Sequence, residues 1–263
     1  MSRKCLIIIS IALAVIYFSH PSLAYHGPVH SEINSRAVRE ASNLDIVLRM
    51  QLGISLGIDH EILNDGESKE IWQWIAYGGV AADFGWWGER KYPLHTRAFN
   101  HFHDPLKPWN EAGLDHPIAG IYEQYYGRPA VSPLVWALNP AQQDFHENPT
   151  GDWSWSRARR SYYAYLTGQD YFGNTIAETA QAREAAFADC LRAVGQVMHL
   201  LADTSVPLHT RNDVHIFPQL GDTIGHWTYE TYTKNNIDNL DYNPDQTGDR
   251  PQPIHLTDPK PGA

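Results

Sequence analysis

One stretch constrains this chain more than any other. Residues 195–230 open on Gly-Gln-Val-Met-His-Leu-Leu-Ala-Asp, pass through Pro-Leu-His at 207–209, and close on Gly-His-Trp-Thr-Tyr-Glu. His199 and Asp203 are four residues apart, so on a helix they share one face, one turn apart. His226 and Glu230 repeat that spacing. Between the pairs, Pro207 stops the first helix and His209 follows the break. Three imidazoles and two carboxylates in so short a span form a nitrogen and oxygen ligand set for a borderline metal such as zinc. A lone HxxxD pair is more often surface decoration than a ligand pair. Two pairs at helical spacing with a histidine between them favour the metal reading.

The rest of the chain reads as mainly helical. Ile33, Ala37, Ala41 and Leu44 recur at helical spacing and predict a first helix from His30 to about Met50. A second, rich in Trp and Ile, is predicted over 68–83. Residues 104–150 hold several prolines and glycines without a sustained period and read as a long surface excursion with short helical pieces, the insertion proper covering 106–150. Asp152 is a candidate cap for a third helix that reaches Leu166 and closes at Gly168. The clearest helix is predicted to start at Thr175, where Thr175 and Glu178 match a capping box. Its apolar stripe is Phe187, Cys190, Leu191, Val194, Met198 and Leu201, with His199 and Asp203 off the stripe beside Gly195, where a close approach is available. A further helix is expected over 224–232, and 235–263 reads as a polar, Pro-rich and loose tail. With no strand-rich block and no fixed repeat, the expected class is all-α, one domain over 25–234.

Arg3 and Lys4 precede an apolar run from Leu6 to Phe18, and Ser22-Leu23-Ala24 supplies small residues for a peptidase. Residues 1–24 therefore read as a cleaved export signal, and the mature protein as secreted or periplasmic, beginning at Tyr25. Cys5 leaves with the signal, so Cys190 stands alone and reads as a core residue. The formal net charge is −10, and loss of Arg3 and Lys4 takes the mature chain to −12. That balance argues against a stable nucleic-acid partner.

Three further groups join the organising stretch: Asp83 after Ala81-Ala82 at a helix end, the run Asn100-His101-Phe102-His103-Asp104-Pro105, and His30 close to the exposed Tyr25 terminus. Taken in this order, the residues resemble the zinc-dependent phospholipases C and the related fungal single-strand-specific nucleases. The match is motif by motif, strongest over 195–230 and 81–105, and it leaves 106–150 unexplained. The resemblance implies a multi-helix fold with three zinc ions in a cleft. Asp83, His101 and His199 would hold one. Asp203 would bridge it to a second, held by His30 and by the backbone amine and carbonyl of Tyr25. His209, His226 and Glu230 would hold the third. A carboxylate can bridge two cations and a neutral imidazole cannot, which suits Asp203 to that place. The family usually begins with Trp where this chain has Tyr25. The gap from Asp83 to His101 is longer than the phospholipase pattern, which leaves His95 and His103 as rival ligands.

The implied activity is hydrolysis of a phosphate ester, phospholipase C-like, by a hydroxide held between two zinc ions, with Asp83 also orienting or deprotonating the attacking water. The implied partner is a phospholipid or other phosphodiester, with transient contact at a membrane surface. A single-strand-specific nuclease or nucleotidase is the alternative within the class, and a non-catalytic secreted zinc-binding module the alternative outside it. His60, His116, His146 and His215 are isolated and read as loop residues. Trp86, Trp87, Trp109 and Trp136 read either as core or as a rim for lipid or bases.

Overall fold

The computed structural model describes residues 27–84, 96–143, 151–212, 233, 236 and 237. Helix α1 (Gly27–Glu40) is followed by α2 (Ser42–Ile46), which runs into a π-helical turn at Val47–Gln51. A hairpin of β1 (Glu61–Asn64) and β2 (Glu67–Glu70) leads directly into α3 (Ile71–Phe84). A 3-10 turn at Thr96–Asn100 precedes α4 (Ala119–Tyr126) and α5 (Pro133–Leu138). Then come α6 (Trp155–Thr167), α7 (Ala180–Asp203) and the short α8 (Pro207–Thr210). The described protein is mainly helical with one small two-stranded sheet. Among the described residues no helix is long and apolar enough to cross a membrane.

Helix α7 is the axis, and α1, α3 and α6 pack on it. Its apolar side chains Phe187, Ala188, Leu191 and Ala193 meet Ile71, Trp74 and Ile75 of α3, Ala158 of α6, and Trp153 in one buried cluster. Cys190 belongs to this cluster, and burial pushes its thiol pKa up to about 12, the behaviour of a packing residue. Where α3 crosses α7, glycines replace side chains on both sides. A Cβ at Gly78 would lie 2.1 Å from the Arg192 carbonyl oxygen, and one at Gly195 would lie 2.0 Å from the Ile75 carbonyl oxygen. Only backbones without Cβ atoms approach this closely.

Asn34 of α1 locks the crossing. It is fully buried, and its amide donates to the Ile75 carbonyl at 3.2 Å and to the Gly195 carbonyl at 3.0 Å. One side chain thus ties three helices. A Cβ at Gly79 would lie 2.5 Å from that same amide nitrogen, so Gly79 is what lets Asn34 in.

Several expectations change. The inward face of α1 is His30, Asn34 and Val38, all buried, while Ile33 and Ala37 of the expected apolar stripe are exposed. A polar face can be the inner one when its groups find partners there. The first helix also ends earlier, at Glu40, and resumes at Ser42. The segment expected to begin the second helix at Ser68 is instead β2; Asp65 and Gly66 carry φ of 51° and 80°, the left-handed pair that a two-residue hairpin turn requires. Ser154 rather than Asp152 caps α6, accepting from the Arg157 amide, while Asp152 accepts from the Ser154 amide. Thr179 rather than Thr175 caps α7. Leu201, placed on the buried stripe, is exposed. Pro207 opens α8 as its first residue, since α7 has already ended at Asp203. The 106–150 stretch is more than a surface excursion. Tyr122 of α4 packs with Phe99 and Phe102, and Trp136 of α5 is buried beside Leu200.

The crossing predicts a paired outcome. Gly195→Ala should cost about 2 kcal/mol of stability or more, because overpacking against backbone outweighs the gain in helix propensity. Gly120→Ala, at a helical site with open space around it, should stabilise by roughly 0.5–1 kcal/mol. Urea denaturation of the two variants checks both signs.

Candidate metal centre

The crossing delivers four histidines and one aspartate to a single buried point. His30 lies one turn before Asn34 on α1, and His199 lies one turn after Gly195 on α7. Asp203 is the last residue of α7. His101 follows the 3-10 turn, and His209 lies in α8. His30, His199 and Asp203 are fully buried, and His101 and His209 are 1% exposed.

The two carboxylate oxygens of Asp203 face different partners. Oδ2 lies 2.8 Å from His101 Nδ1 and 3.0 Å from His199 Nε2, and those two nitrogens are 3.1 Å apart. Oδ1 lies 3.2 Å from His30 Nε2. His209 Nδ1 is 3.9 Å from Oδ2. Ligand atoms around a tetrahedral zinc at ordinary bond lengths sit about 3.3 Å from one another. The triangle of His101, His199 and Asp203 atoms is slightly tighter than that, and the Asp203–His30 edge matches it.

The protonation pattern argues the same way. His199 Nδ1 donates to the Gly79 carbonyl at 2.6 Å, and His209 Nδ1 donates to the His101 carbonyl at 2.6 Å. A carbonyl only accepts, so in each neutral ring the lone pair is on Nε2. At His199 that lone pair is directed at the Asp203 oxygen and the His101 nitrogen. Two electron-rich atoms at 3.0 Å repel each other unless positive charge stands between them. Neither Asp203 oxygen accepts a hydrogen bond among the described residues. A fully buried carboxylate without such bonds is what a cation ligand looks like when only the protein is considered. The group of His30, His199 and Asp203 could hold a metal ion, with ligand atoms all within 4.8 Å of one another.

Packing fixes the rings. His30 stacks on His199 with centroids 3.5 Å apart, His101 meets His199 edge-on, and Phe102 stacks on His209 at 4.5 Å. Arg97, buried in the 3-10 turn before His101, donates to Gln143 and to Gln196, which lies one turn before His199 on α7. Asn100 accepts from the Val131 amide and donates to the Tyr122 hydroxyl. The segment carrying His101 is therefore held from both sides.

Of the residues singled out in the sequence, the structure brings together His30, His101, His199, Asp203 and His209. Tyr25, His226 and Glu230 lie outside the described residues, as do the side chain of Asp83 and the rival His95. Asp83 has its backbone in the last turn of α3, the helix that supplies Gly79. His103 is buried, but its position differs from that of His101. Its backbone amide donates to the His209 carbonyl, and its ring is not in the triangle. Burial lowers its pKa, with Asp104 opposing. Trp136 is core, Trp109 is 45% exposed, and Trp86 and Trp87 lie outside the described residues. Two contributors had no signal in the sequence: the Gly79 carbonyl, which orients His199, and Asn34, whose spacing from His30 gained meaning only once α1 was placed.

Compared with protein-family models, with curated proteins and with solved structures, the chain matches none.

Acid should dismantle this centre. Burial by itself would raise the Asp203 pKa, but in metal-free protein in acid, where the rings of His199, His30 and His209 carry charge, their fields and the contact with His101 prevail and hold it well below the usual carboxylate range. A carboxyl whose folded pKa lies below its unfolded value adds stability that is complete above that unfolded value, near 3.9, and is lost as pH falls further. In chelator-treated protein, the thermal midpoint of the wild type should therefore fall more steeply below about pH 4 than that of Asp203→Asn. With metal bound the loss should begin higher, near the imidazole range of about pH 5–6, because protons compete for the same nitrogens. Parallel melting curves between pH 3 and 7 give both readings.

Proposed function

We propose that this protein is a secreted, zinc-dependent hydrolase of phosphate esters, a phosphodiesterase of the phospholipase C kind, with the multi-helix fold and three-zinc cleft that its motifs resemble. The observation that carries the reading is Asp203: one buried carboxylate with its two oxygens turned to separate sets of imidazole nitrogens, as a bridge between two cations requires.

His101, His199 and Asp203 would hold the first ion, together with Asp83. Asp203 and His30 would hold the second, with the backbone amine and carbonyl of Tyr25 completing it. His209, His226 and Glu230 would hold the third. Bound divalent ions supply Lewis acidity at such a place: they bring the pKa of water towards 7 and offset charge on phosphate oxygens.

The chain's own groups do the positioning. Gly79 and the His101 carbonyl fix the tautomers of His199 and His209, leaving Nε2 of each as the basic nitrogen. Asp203 enters the low-dielectric interior as an anion, so the site attracts cations and repels a free phosphate until they are in place. Asp83 would orient a water at the centre and accept a proton from it. No side chain is required as a nucleophile. The net charge of −12 on the chain beginning at Tyr25 favours a lipid phosphodiester over a single-stranded polyphosphate, which this surface would repel.

The reading predicts three zinc ions per chain beginning at Tyr25, and turnover of a lecithin-like phosphodiester exceeding that of single-stranded nucleic acid in the same preparation. Asp203→Asn should lose at least two metal ions and lower turnover on the order of 10³-fold. Elemental analysis beside both assays decides. An Asp203→Asn protein with full zinc content and wild-type rates would end the proposal. Full zinc with no turnover on any phosphodiester would make the protein a zinc-binding module.

A further inference from the structure

The loop that leaves the metal centre carries apolar side chains at its tip. After His101 and His103 the chain runs out through Pro105, Leu106, Lys107, Pro108 and Trp109 and returns at Ala112. Leu106 is 92% exposed, more than any other large apolar group described, and Trp109 beside it is 45% exposed. Yet the loop is built to hold its shape. The Asp104 amide donates to the Ala112 carbonyl at 2.9 Å and closes the base. Asp104 Oδ1 accepts from the Leu106 amide, the Lys107 amide donates to the Asp104 carbonyl, and the Glu111 amide donates to the Pro108 carbonyl. Buried Phe102 and Ala112 anchor the two ends. Lys107 pairs with Asp115 at 2.7 Å and lies 3.9 Å from Asp104; with Glu111 the segment sets three carboxylates against one lysine, a balance that disfavours an anionic surface.

This loop is joined to the centre rather than merely near it. The His103 amide donates to the His209 carbonyl at 3.0 Å, and the Asp115 amide to Asn212 Oδ1 at 3.3 Å. Leu106 is the third residue after His103, so their Cα atoms lie within about 11 Å. The comparably exposed Phe172 belongs elsewhere: it stands on the turn held by Asp170, five residues before Ala177, whose carbonyl accepts from Arg183, and Arg183 lies 20 residues before Asp203 on α7, about 30 Å along the helix.

We propose that the 104–112 tip is a lipid-docking point: Leu106 and Trp109 enter the interfacial layer of a zwitterionic phospholipid surface and present the metal centre to it. The reason for docking rests on the phosphodiester function proposed above; the docking itself is measured separately. Two side chains on one loop bury a few hundred Å² at most, far below the roughly 1,000 Å² that a specific protein interface needs. A lipid surface needs no shape complementarity, and it accepts a leucine and an amphipathic tryptophan reversibly. The charge of −12 on the chain beginning at Tyr25 selects against an anionic surface.

The test is flotation of the zinc-loaded chain beginning at Tyr25 with phosphatidylcholine vesicles, alone and in 0.5-to-1 molar salt, about the range in which an electrostatic contact would be screened away. The wild type should float, and salt should not release it. Leu106→Gln combined with Trp109→Gln should weaken partitioning roughly tenfold or more, since burial of two such groups is removed. Phe172→Gln should partition as the wild type does. Zinc content and melting temperature of each variant confirm that it is folded. The proposal is overturned if the wild type does not float, if the double variant floats as well as the wild type, or if the double variant changes only self-association in light scattering, which would make the tip a contact between copies. A wild type that floats through this loop but hydrolyses no phosphodiester would leave the docking intact and remove the enzymatic reading.

Discussion

The interior of this protein is organised by the cost of burying one carboxylate. Asp203 ends α7 fully out of solvent, and an ionised group there is unfavourable by several kcal/mol unless positive charge meets it. Everything around it answers that requirement. Four histidines on three helices and one turn place ring nitrogens between 2.8 and 3.9 Å from its oxygens. His199 and His209 each donate Nδ1–H to a backbone carbonyl, so each keeps its Nε2 lone pair for a cation; at His209 it is that same Nδ1 that lies 3.9 Å from Asp203. The polar interior is thus coherent as a coordination environment and costly as anything else.

Such convergence depends on how closely the helices can cross. Gly78 and Gly195 bring α3 and α7 to backbone contact, and Asn34 draws α1 against both. The same three residues set the ligands, because His30 is one turn from Asn34, His199 one turn from Gly195, and the Gly79 carbonyl lies beside them. Packing and chemistry therefore share atoms. The apolar cluster of Trp74, Ile75, Phe187 and Leu191 secures one end of α7, and the centre occupies the other. A long helix lets a well-packed end hold a polar end rigid.

The histidine and aspartate cluster is legible in the sequence because ligand residues keep a local grammar: HxxxD on a helix, a histidine after a proline, a histidine run after a connection. What misled was apolar periodicity. On α1 the spacing of Ile33 and Ala37 pointed to the wrong face, because the true inner face carries His30 and Asn34. Periodicity reads the hydrophobic effect, and this helix is buried by polar contacts instead. The hairpin at 61–70 escapes apolar patterning although Asp65-Gly66 is a strong turn signal, since its strands are four residues each and bury only Ile62.

By itself, the sequence determined that the chain is mainly helical, that α7 carries a histidine and an aspartate on one face, and that imidazole and carboxylate groups recur in an order suited to divalent ions. Those are local properties, fixed by spacing of three or four residues along one element. Only the tertiary structure decided that His101 rather than His103 meets Asp203, that the Gly79 carbonyl orients His199, and which oxygen of Asp203 faces which ring. Those facts depend on helices distant in the sequence crossing at a fixed separation. That separation is set by the absence of side chains at two glycines, which no pattern within a single segment can express.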